Sequence, residues 1–79
     1  MEQRITLDCL GVGQQCTVEE IRLTGALGRR LLDLGLIAGT QVACRQRAPR
    51  GDPLAFELRG GVSALRAADA RQIIGKLEG

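Results

Sequence analysis

The spacing of apolar side chains changes from strand-like to helix-like near the middle of the chain. Leu27, Leu31 and Leu34 recur at i, i+4 and i+7, which places them on one face of a short helix. Gly35 stands where helices commonly end in a left-handed residue, and residues 39–40 turn the chain into the next segment. Because so short a helix is unstable alone in water, we predict that the three leucines dock it on neighbouring strands.

Before the helix, two short segments alternate with the period of a strand but in opposite phase. These segments are residues 16–18 and 21–23. A continuous flat strand would turn one of the two apolar sets into water. We therefore predict one strand that carries a bulge at Glu19-Glu20, because an extra residue there restores a single buried face.

After the helix, two further alternating segments predict a β-hairpin. They are residues 42–47 and 54–59, and the loop between them carries two prolines and a glycine, which favour a turn. In this pairing Glu57 faces Arg45 or Arg47 on the neighbouring strand, a favourable cross-strand pair of opposite charges.

The remaining pattern predicts short elements only. Leu7 and Leu10 form a spaced apolar pair before a turn at Gly13. The elements expected after the hairpin are a turn at Gly60-Gly61, a strand over residues 62–66, a helical turn over residues 67–70, and a last strand with Ile73, Ile74 and Leu77. The predicted fold is mainly β: a small, strongly bent barrel of about five short strands with one short inserted α-helix, formed by residues 1–79 as a single domain.

Composition narrows the function more by what is missing than by what is present. The 79 residues contain one aromatic side chain, Phe56, so aliphatic side chains must fill a modest core. The chain has no histidine, which removes the commonest metal ligand and the commonest general base. No apolar run approaches the ~20 residues of a membrane span, and no signal peptide is recognisable. We expect a cytoplasmic protein with reduced thiols.

Two sequence features resemble chemical motifs but fit them poorly. Cys9, Cys16 and Cys44 match no zinc or iron–sulfur spacing, and the last two fall on the inward phase of their strands, as small core residues do. Gly75-Lys76 resembles a phosphate loop without its first glycine and without the Ser or Thr that binds magnesium. Because neither motif is complete, we expect no bound metal and no cofactor. Since no serine has a histidine to activate it, we also expect that the protein is not an enzyme.

The distribution of arginines raises the hypothesis of nucleic-acid binding. The net charge is only +2, too small to indicate nucleic acid or a membrane surface by itself. Arg45, Arg47, Arg50 and Arg59 could gather on one outer face, although nucleic-acid barrels usually add stacking aromatics to such a patch. A stand-alone nucleic-acid-binding barrel and a metal sensor built on the three cysteines are kept as alternatives.

Leu32 does not fit the predicted buried stripe of the helix. It lies about 100° around the helix from Leu31. Leu32 either widens the buried face or, with Leu36 and Ile37 beyond the helix end, forms part of an apolar docking surface.

The chain closely resembles the FeoA family, small cytosolic accessory proteins of bacterial ferrous iron uptake. The resemblance covers nearly the whole chain and is carried by these segments: Leu7-x-x-Leu10-x-x-Gly13, residues 29–36 (Arg-Arg-Leu-Leu-Asp-Leu-Gly-Leu), Gly39-Thr40, residues 47–53 (Arg-Ala-Pro-x-Gly-Asp-Pro), Arg59-Gly60 and residues 64–66 (Ala-Leu-Arg). Cys16, where the family more often has a hydrophobic residue, and Gly61, where a larger residue often sits, depart from the pattern.

The resemblance implies both a fold and a partner. The fold is an SH3-like β-barrel with an inserted helix, which also occurs as the C-terminal domain of DtxR-like metal-dependent repressors. The partner is FeoB, the membrane ferrous iron transporter with a cytosolic GTP-binding domain, so contact with the membrane would come only through it. We expect the helix surface and the hairpin tip to make this contact, through Arg29, Arg30, Leu32, Asp33, Arg50 and Asp52.

Overall fold

A computed structural model of the protein describes residues 3–59 and 61–78, so Gly60 of the predicted turn lies outside the described residues. The elements are, in chain order, β1 (Gln3–Thr6), a 3-10 turn (Leu7–Cys9), β2 (Gln15–Ile21), α1 (Gly25–Asp33), β3 (Gln41–Arg47), β4 (Leu54–Leu58), β5 (Gly61–Leu65), α2 (Ala67–Ala70) and β6 (Ile73–Glu78). The mainly β class, the inserted helix, the later helical turn and the last strand are confirmed. Among these residues, no helix has the length and apolar character needed to cross a bilayer.

The strands form one antiparallel sheet in the order β1-β6-β2-β3-β4-β5. The sheet has six strands rather than about five. Within residues 3–59 and 61–78, the two edge strands β1 and β5 do not pair with each other. The sheet is therefore not closed, and "barrel" describes it only loosely.

Strand β1 is the element that the hydrophobic pattern does not predict. Its sequence is Gln-Arg-Ile-Thr, with one strongly apolar residue, and its pairing partner β6 lies at the other end of the chain. Gln3 lies opposite Leu77 and Ile5 lies opposite Gly75. A short polar edge strand of this kind gets its stability from that distant partner rather than from its own pattern.

The alternating residues of the central strands supply the core. The described core consists of Leu7, Leu10, Cys16, Val18, Leu31, Leu36, Val42, Cys44, Leu54, Phe56, Leu58, Leu65, Ala70 and Ile73. The inward orientation predicted for Cys16 and Cys44 is confirmed, since both side chains are fully buried. The bulge in β2 is also confirmed, because the register between β2 and β6 shifts between Val18 and Glu20.

The predicted hairpin is formed by β3 and β4, with one irregularity that the pattern did not show. The register shifts between Cys44 and Gln46, so Gln46 is exposed rather than buried with Cys44. On the outer face Arg45 forms an ion pair with Glu57, as expected from the cross-strand arrangement.

A tight C-terminal cap determines which leucines of α1 are buried. The Gly35 N–H donates to the Leu32 carbonyl and the Leu36 N–H donates to the Leu31 carbonyl, both at 2.9 Å. With Gly35 at φ +95°, these bonds form a Schellman motif, in which the residue after the glycine packs back on the helix. Leu36 is therefore buried beside Leu31, so the alternative that placed it in an apolar docking surface with Leu32 and Ile37 is wrong for this residue. Leu34, predicted to be buried, is the exposed C-cap.

The segment after α1 is held on β2 by its own hydrogen bonds. The buried Thr40 hydroxyl donates to the Gly35 carbonyl at 3.0 Å and accepts the Ile37 N–H at 3.1 Å. The Val18 carbonyl accepts the Gly39 N–H at 2.7 Å, and the Val18 N–H donates to the Thr40 carbonyl at 2.8 Å. These bonds fix the end of the helix against the sheet.

Candidate protein-binding surface

Three apolar side chains are exposed together around the C-terminus of α1. Leu32, Leu34 and Ile37 have exposed fractions of 57%, 46% and 44%. We call these three residues the helix-end surface. The Schellman cap and the Thr40 hydroxyl fix the backbone that carries them, so the surface is already ordered before any partner binds.

Two of the three residues of the helix-end surface line shallow grooves, Leu32 in one and Leu34 in the other. One groove runs along the helix and is lined by Ile21, Leu23, Thr24, Gly25, Gly28, Arg29, Leu31, Leu32 and Leu36. The other lies between the helix end and the turn after β4, and is lined by Leu34, Leu58, Arg59, Gly61, Val62 and Ser63. At this second groove the aliphatic stem of Arg59 lies over Gly35, where an added Cβ would be 3.1 Å from the Arg59 Cγ atom.

Charged side chains without partners border the helix-end surface. Arg29, Arg30 and Asp33 are exposed, and their side chains make no hydrogen bond or ion pair with the described part of the chain. The i, i+4 pair of Arg29 with Asp33 that the spacing allows is therefore not formed. An exposed apolar centre with arginines at its rim has the composition of a protein-binding surface.

The two predicted contact elements lie at opposite ends of β4. The hairpin tip with Arg50 and Asp52 precedes Leu54, whereas the helix end approaches the chain at Leu58 and Arg59. The two ends of β4 are roughly 13 Å apart along the strand. Arg50 is exposed at the tip.

Asp52 has a structural role in the fold. Its Oδ1 atom accepts the backbone N–H of Ala67 at 2.9 Å, at the start of α2. A carboxylate there satisfies a donor that the first turn of a helix leaves unpaired. This contact fastens the hairpin tip to the segment after β5.

Two of the four arginines considered for a basic patch bond within the fold through their guanidinium groups, and a third packs its aliphatic stem. Arg45 pairs with Glu57, and the Arg47 guanidinium donates to the carbonyls of Asp8 and Leu10 at 3.0 and 2.9 Å. Arg59 lies over Gly35. These contacts favour the interpretation of a solvated face over that of a nucleic-acid site.

The cysteines are distributed in a way that offers no common site. All three cysteines are free thiols: Cys9 is exposed, whereas Cys16 and Cys44 are buried in the core. Across residues 3–59 and 61–78, no group of three or more His, Cys, Asp or Glu side chains is placed to hold a metal ion. Burial, with a smaller contribution from the charge of Glu78, raises the pKa of Cys16 to about 11.

The raised pKa of Cys16 predicts that the protein loses stability in alkaline solution. The folded protein keeps this thiol protonated up to about pH 11, whereas in the unfolded chain it ionises near its usual value of 9.0. Between these values the unfolded state binds fewer protons, so the free energy of unfolding falls as pH rises, by on the order of 2 kcal/mol. Urea titrations from pH 8 to 11 measure this fall.

The matched variants for this titration are Cys16→Ala and Cys9→Ser. The first is expected to be less stable at pH 8 but to lose the Cys16 part of the alkaline decline, whereas the exposed Cys9 variant keeps it. An unchanged pH slope in Cys16→Ala would show that another group causes the decline.

The comparisons with known proteins agree on one domain type. The FeoA domain family matches residues 5–77 of this chain. A search for curated relatives found no match. Among solved structures, FeoA from Chlorobium tepidum is 29% identical with a TM-score of 0.88, and the match covers 95% of this chain and 71% of that protein.

Two further structures support the same similarity. A FeoA-like protein from Clostridium acetobutylicum is 30% identical, with a TM-score of 0.81 and coverage of 98% of this chain and 90% of its own. FeoA from Stenotrophomonas maltophilia, solved with zinc and described as a procaryotic SH3 domain protein, is 28% identical with a TM-score of 0.78, and the match covers 90% of this chain and 88% of that protein. The SH3-like fold class predicted above is confirmed by this similarity.

Proposed function

The chain belongs to the FeoA family, which is associated with ferrous iron transport, and we propose that it is a non-enzymatic accessory protein that binds the cytosolic part of a FeoB-like transporter. The relative from Stenotrophomonas maltophilia is described as a candidate activating factor of bacterial ferrous iron transport. A regulatory role for this chain is in keeping with that description.

The observation that carries the proposal is the exposure of Leu32 at the end of a rigidly capped helix. A helix that needed Leu32 for its own docking would bury it with Leu31, yet more than half of Leu32 is exposed. Burying a leucine side chain in an interface contributes roughly 1.5–3 kcal/mol. Leu32, Leu34 and Ile37 together supply an apolar centre, and Arg29, Arg30 and Asp33 supply a charged rim.

At the hairpin tip, the two predicted contact residues have different roles in the proposal. Arg50 is exposed and remains a proposed contact, at the opposite end of β4 from the helix. Asp52 acts through its bond to the Ala67 N–H, which positions the tip. A partner that reached both places would have to follow the length of β4.

Leu32→Asp is expected to abolish or strongly weaken partner binding. The substitution places a carboxylate at the apolar centre of the interface, so the loss is at least about tenfold in affinity, or about 1.4 kcal/mol. The measurement is recovery of the purified cytosolic FeoB domain on the immobilised protein, followed by a titration to obtain the dissociation constant.

Val12→Asp is the matched control for this experiment. Val12 has an exposed fraction of 60% and lies in the loop before β2, so the same charge is added at a comparably exposed apolar position. Both variants must give the wild-type circular dichroism spectrum and melting curve. Equal recovery with folded Leu32→Asp would remove the helix-end surface from the interface.

A further inference from the structure

The outer edge of β5 is an open pairing site for another strand. β5 pairs with β4 on one side, and in the described ranges 3–59 and 61–78 no strand pairs with its other side. The backbone hydrogen bonds that loops and turns make in this part of the chain also leave residues 61–65 out. In an antiparallel edge strand, alternate residues direct their N–H and C=O groups outward, so β5 offers a row of unused donors and acceptors.

The two edges of the sheet differ in how they are protected. β1 carries Arg4, which forms ion pairs with Glu19 at 3.3 Å and Glu20 at 3.7 Å. Charge on an edge strand is a common defence against unwanted pairing. β5 has the sequence Gly-Val-Ser-Ala-Leu, with no charged residue, and only Leu65 of the five is buried. The uncharged edge of β5 thus lacks the protection that β1 has.

Arginines at both ends of β5 indicate the charge of a complementary strand. Arg59 and Arg66 are exposed, and neither forms an ion pair within the described residues. If two copies of β5 paired antiparallel about Ser63, Arg66 of one copy would come to the turn of the other, one position along the chain from Arg59. This repulsion disfavours a second copy as the occupant and favours a segment with acidic ends.

An apolar groove adjoins the same edge. Leu34, Leu58 and Val62 contribute to the groove at the start of β5, and Val62 is the most exposed of the large hydrophobic residues described, at 66%. A side chain projecting from a strand added to β5 would find apolar contacts here. The groove therefore adds side-chain recognition to the backbone pairing.

From these four observations we propose that β5 binds an extended segment of another protein, apolar in its centre and acidic at its ends, by strand addition. Backbone hydrogen bonds to residues 61–65 provide the pairing, Arg59 and Arg66 select the acidic ends, and Val62 contacts the apolar centre. The site adjoins the transporter contact proposed above, because Leu34 lines the groove beside β5, but its backbone pairing depends on the sheet edge and not on the helix.

The test uses a synthetic peptide with five alternating valines and threonines between two glutamates at each end. Titrated into the labelled full-length protein, it is expected to shift the NMR signals of residues 61–65 and to slow the hydrogen exchange of their outward amides. Replacing the glutamates by lysines is expected to weaken binding about tenfold. N-methylation of the central amides of the peptide is expected to abolish binding, because the pairing is made by the backbone.

Charge reversal in the protein gives the reciprocal test. Arg66→Glu is expected to weaken binding of the glutamate peptide and to strengthen binding of the lysine peptide. Arg22→Glu makes the same charge change in the segment after β2, three strands away from β5 in the sheet, and is expected to leave both affinities within about twofold. Equal binding of the N-methylated peptide, shifts confined to residues outside β5, or a sedimentation profile showing that the protein dimerises through β5 would each overturn the proposal.

Discussion

Gly75→Ala is expected to lower the melting temperature by roughly 10–20 °C, which corresponds to a loss of about 2–3 kcal/mol in a domain of this size. Gly75 lies in β6, opposite Ile5 of β1 and Val18 of β2. A Cβ atom added there would be 2.7 Å from the Thr17 carbonyl oxygen and 3.1 Å from the Cys16 Sγ atom. The first of these contacts involves backbone, so β2 itself must move to relieve it.

This result would also explain the Gly75-Lys76 pair that resembles a phosphate loop. In the structure these two residues are part of a central strand, and the glycine is there because β2 approaches closely. The control is Gly61→Ala, in which the nearest atom to the added Cβ is the Leu58 carbonyl oxygen at 3.8 Å. That variant is expected to melt within a few degrees of the wild type, and thermal unfolding followed by circular dichroism compares the two. Equal melting temperatures would mean that β2 adapts at little cost.

Phe56→Ala is expected to cause the largest loss of stability of any single substitution considered, about 3–5 kcal/mol. Phe56 is buried in the middle of β4, between Cys44 on β3 and Ser63 on β5. It is the single aromatic residue of the chain, so no neighbouring ring can move to fill the space it leaves. For 79 residues the whole stability is on the order of 4–12 kcal/mol, so this variant is expected to be partly unfolded at 37 °C.

Urea denaturation measures this loss, and two variants calibrate it. Phe56→Leu keeps most of the side-chain volume and is expected to cost less than half as much, whereas Val62→Ala, at an exposed position, is expected to be close to neutral. If Phe56→Ala and Phe56→Leu had the same midpoint, the core would not depend on the shape of the ring.

The central strands were predicted because their apolar residues alternate within the strand itself. Leu54, Phe56 and Leu58 show the period of two, and the phase change around Glu19 even revealed a bulge, because burial on one face fixes which residues point inward. β1 shows no such pattern, because it is a polar edge strand held by pairing with β6. The bulge after Cys44 was also not predicted, since its flanking residues alternate without a change of phase.

The end of α1 shows why the binding surface was predicted only in part. Helical spacing placed Leu34 with Leu27 and Leu31, but the helix ends at Asp33 and Leu34 has already turned outward. A glycine at C′ followed by a leucine is the sequence pattern of a Schellman motif, and it would have predicted the burial of Leu36. Of the two alternatives left open for Leu32, the structure favours the exposed one, and Ile37 is exposed with it.

The roles of Asp52 and Val62 had no local pattern to reveal them. The Asp52 carboxylate bonds to Ala67, fifteen residues away, across the hairpin and β5. Val62 belongs to a short alternating segment, and its exposure follows from the position of β5 at the edge of the sheet, which is a property of the whole topology. Contact with a partner stays a prediction for all six proposed residues: Arg29, Arg30, Leu32, Asp33, Arg50 and Asp52.

The position of β6 between β1 and β2 has a consequence for how the chain folds during synthesis. β2, β3, β4 and β5 are neighbours in sequence as well as in the sheet, so this meander can assemble as it leaves the ribosome. β1 is made first yet has to wait for β6, the last strand made, before it can pair. Until then β2 presents a bare edge of its own. Nascent chains that stall after residue 66 are therefore the species most exposed to aggregation and to capture by chaperones.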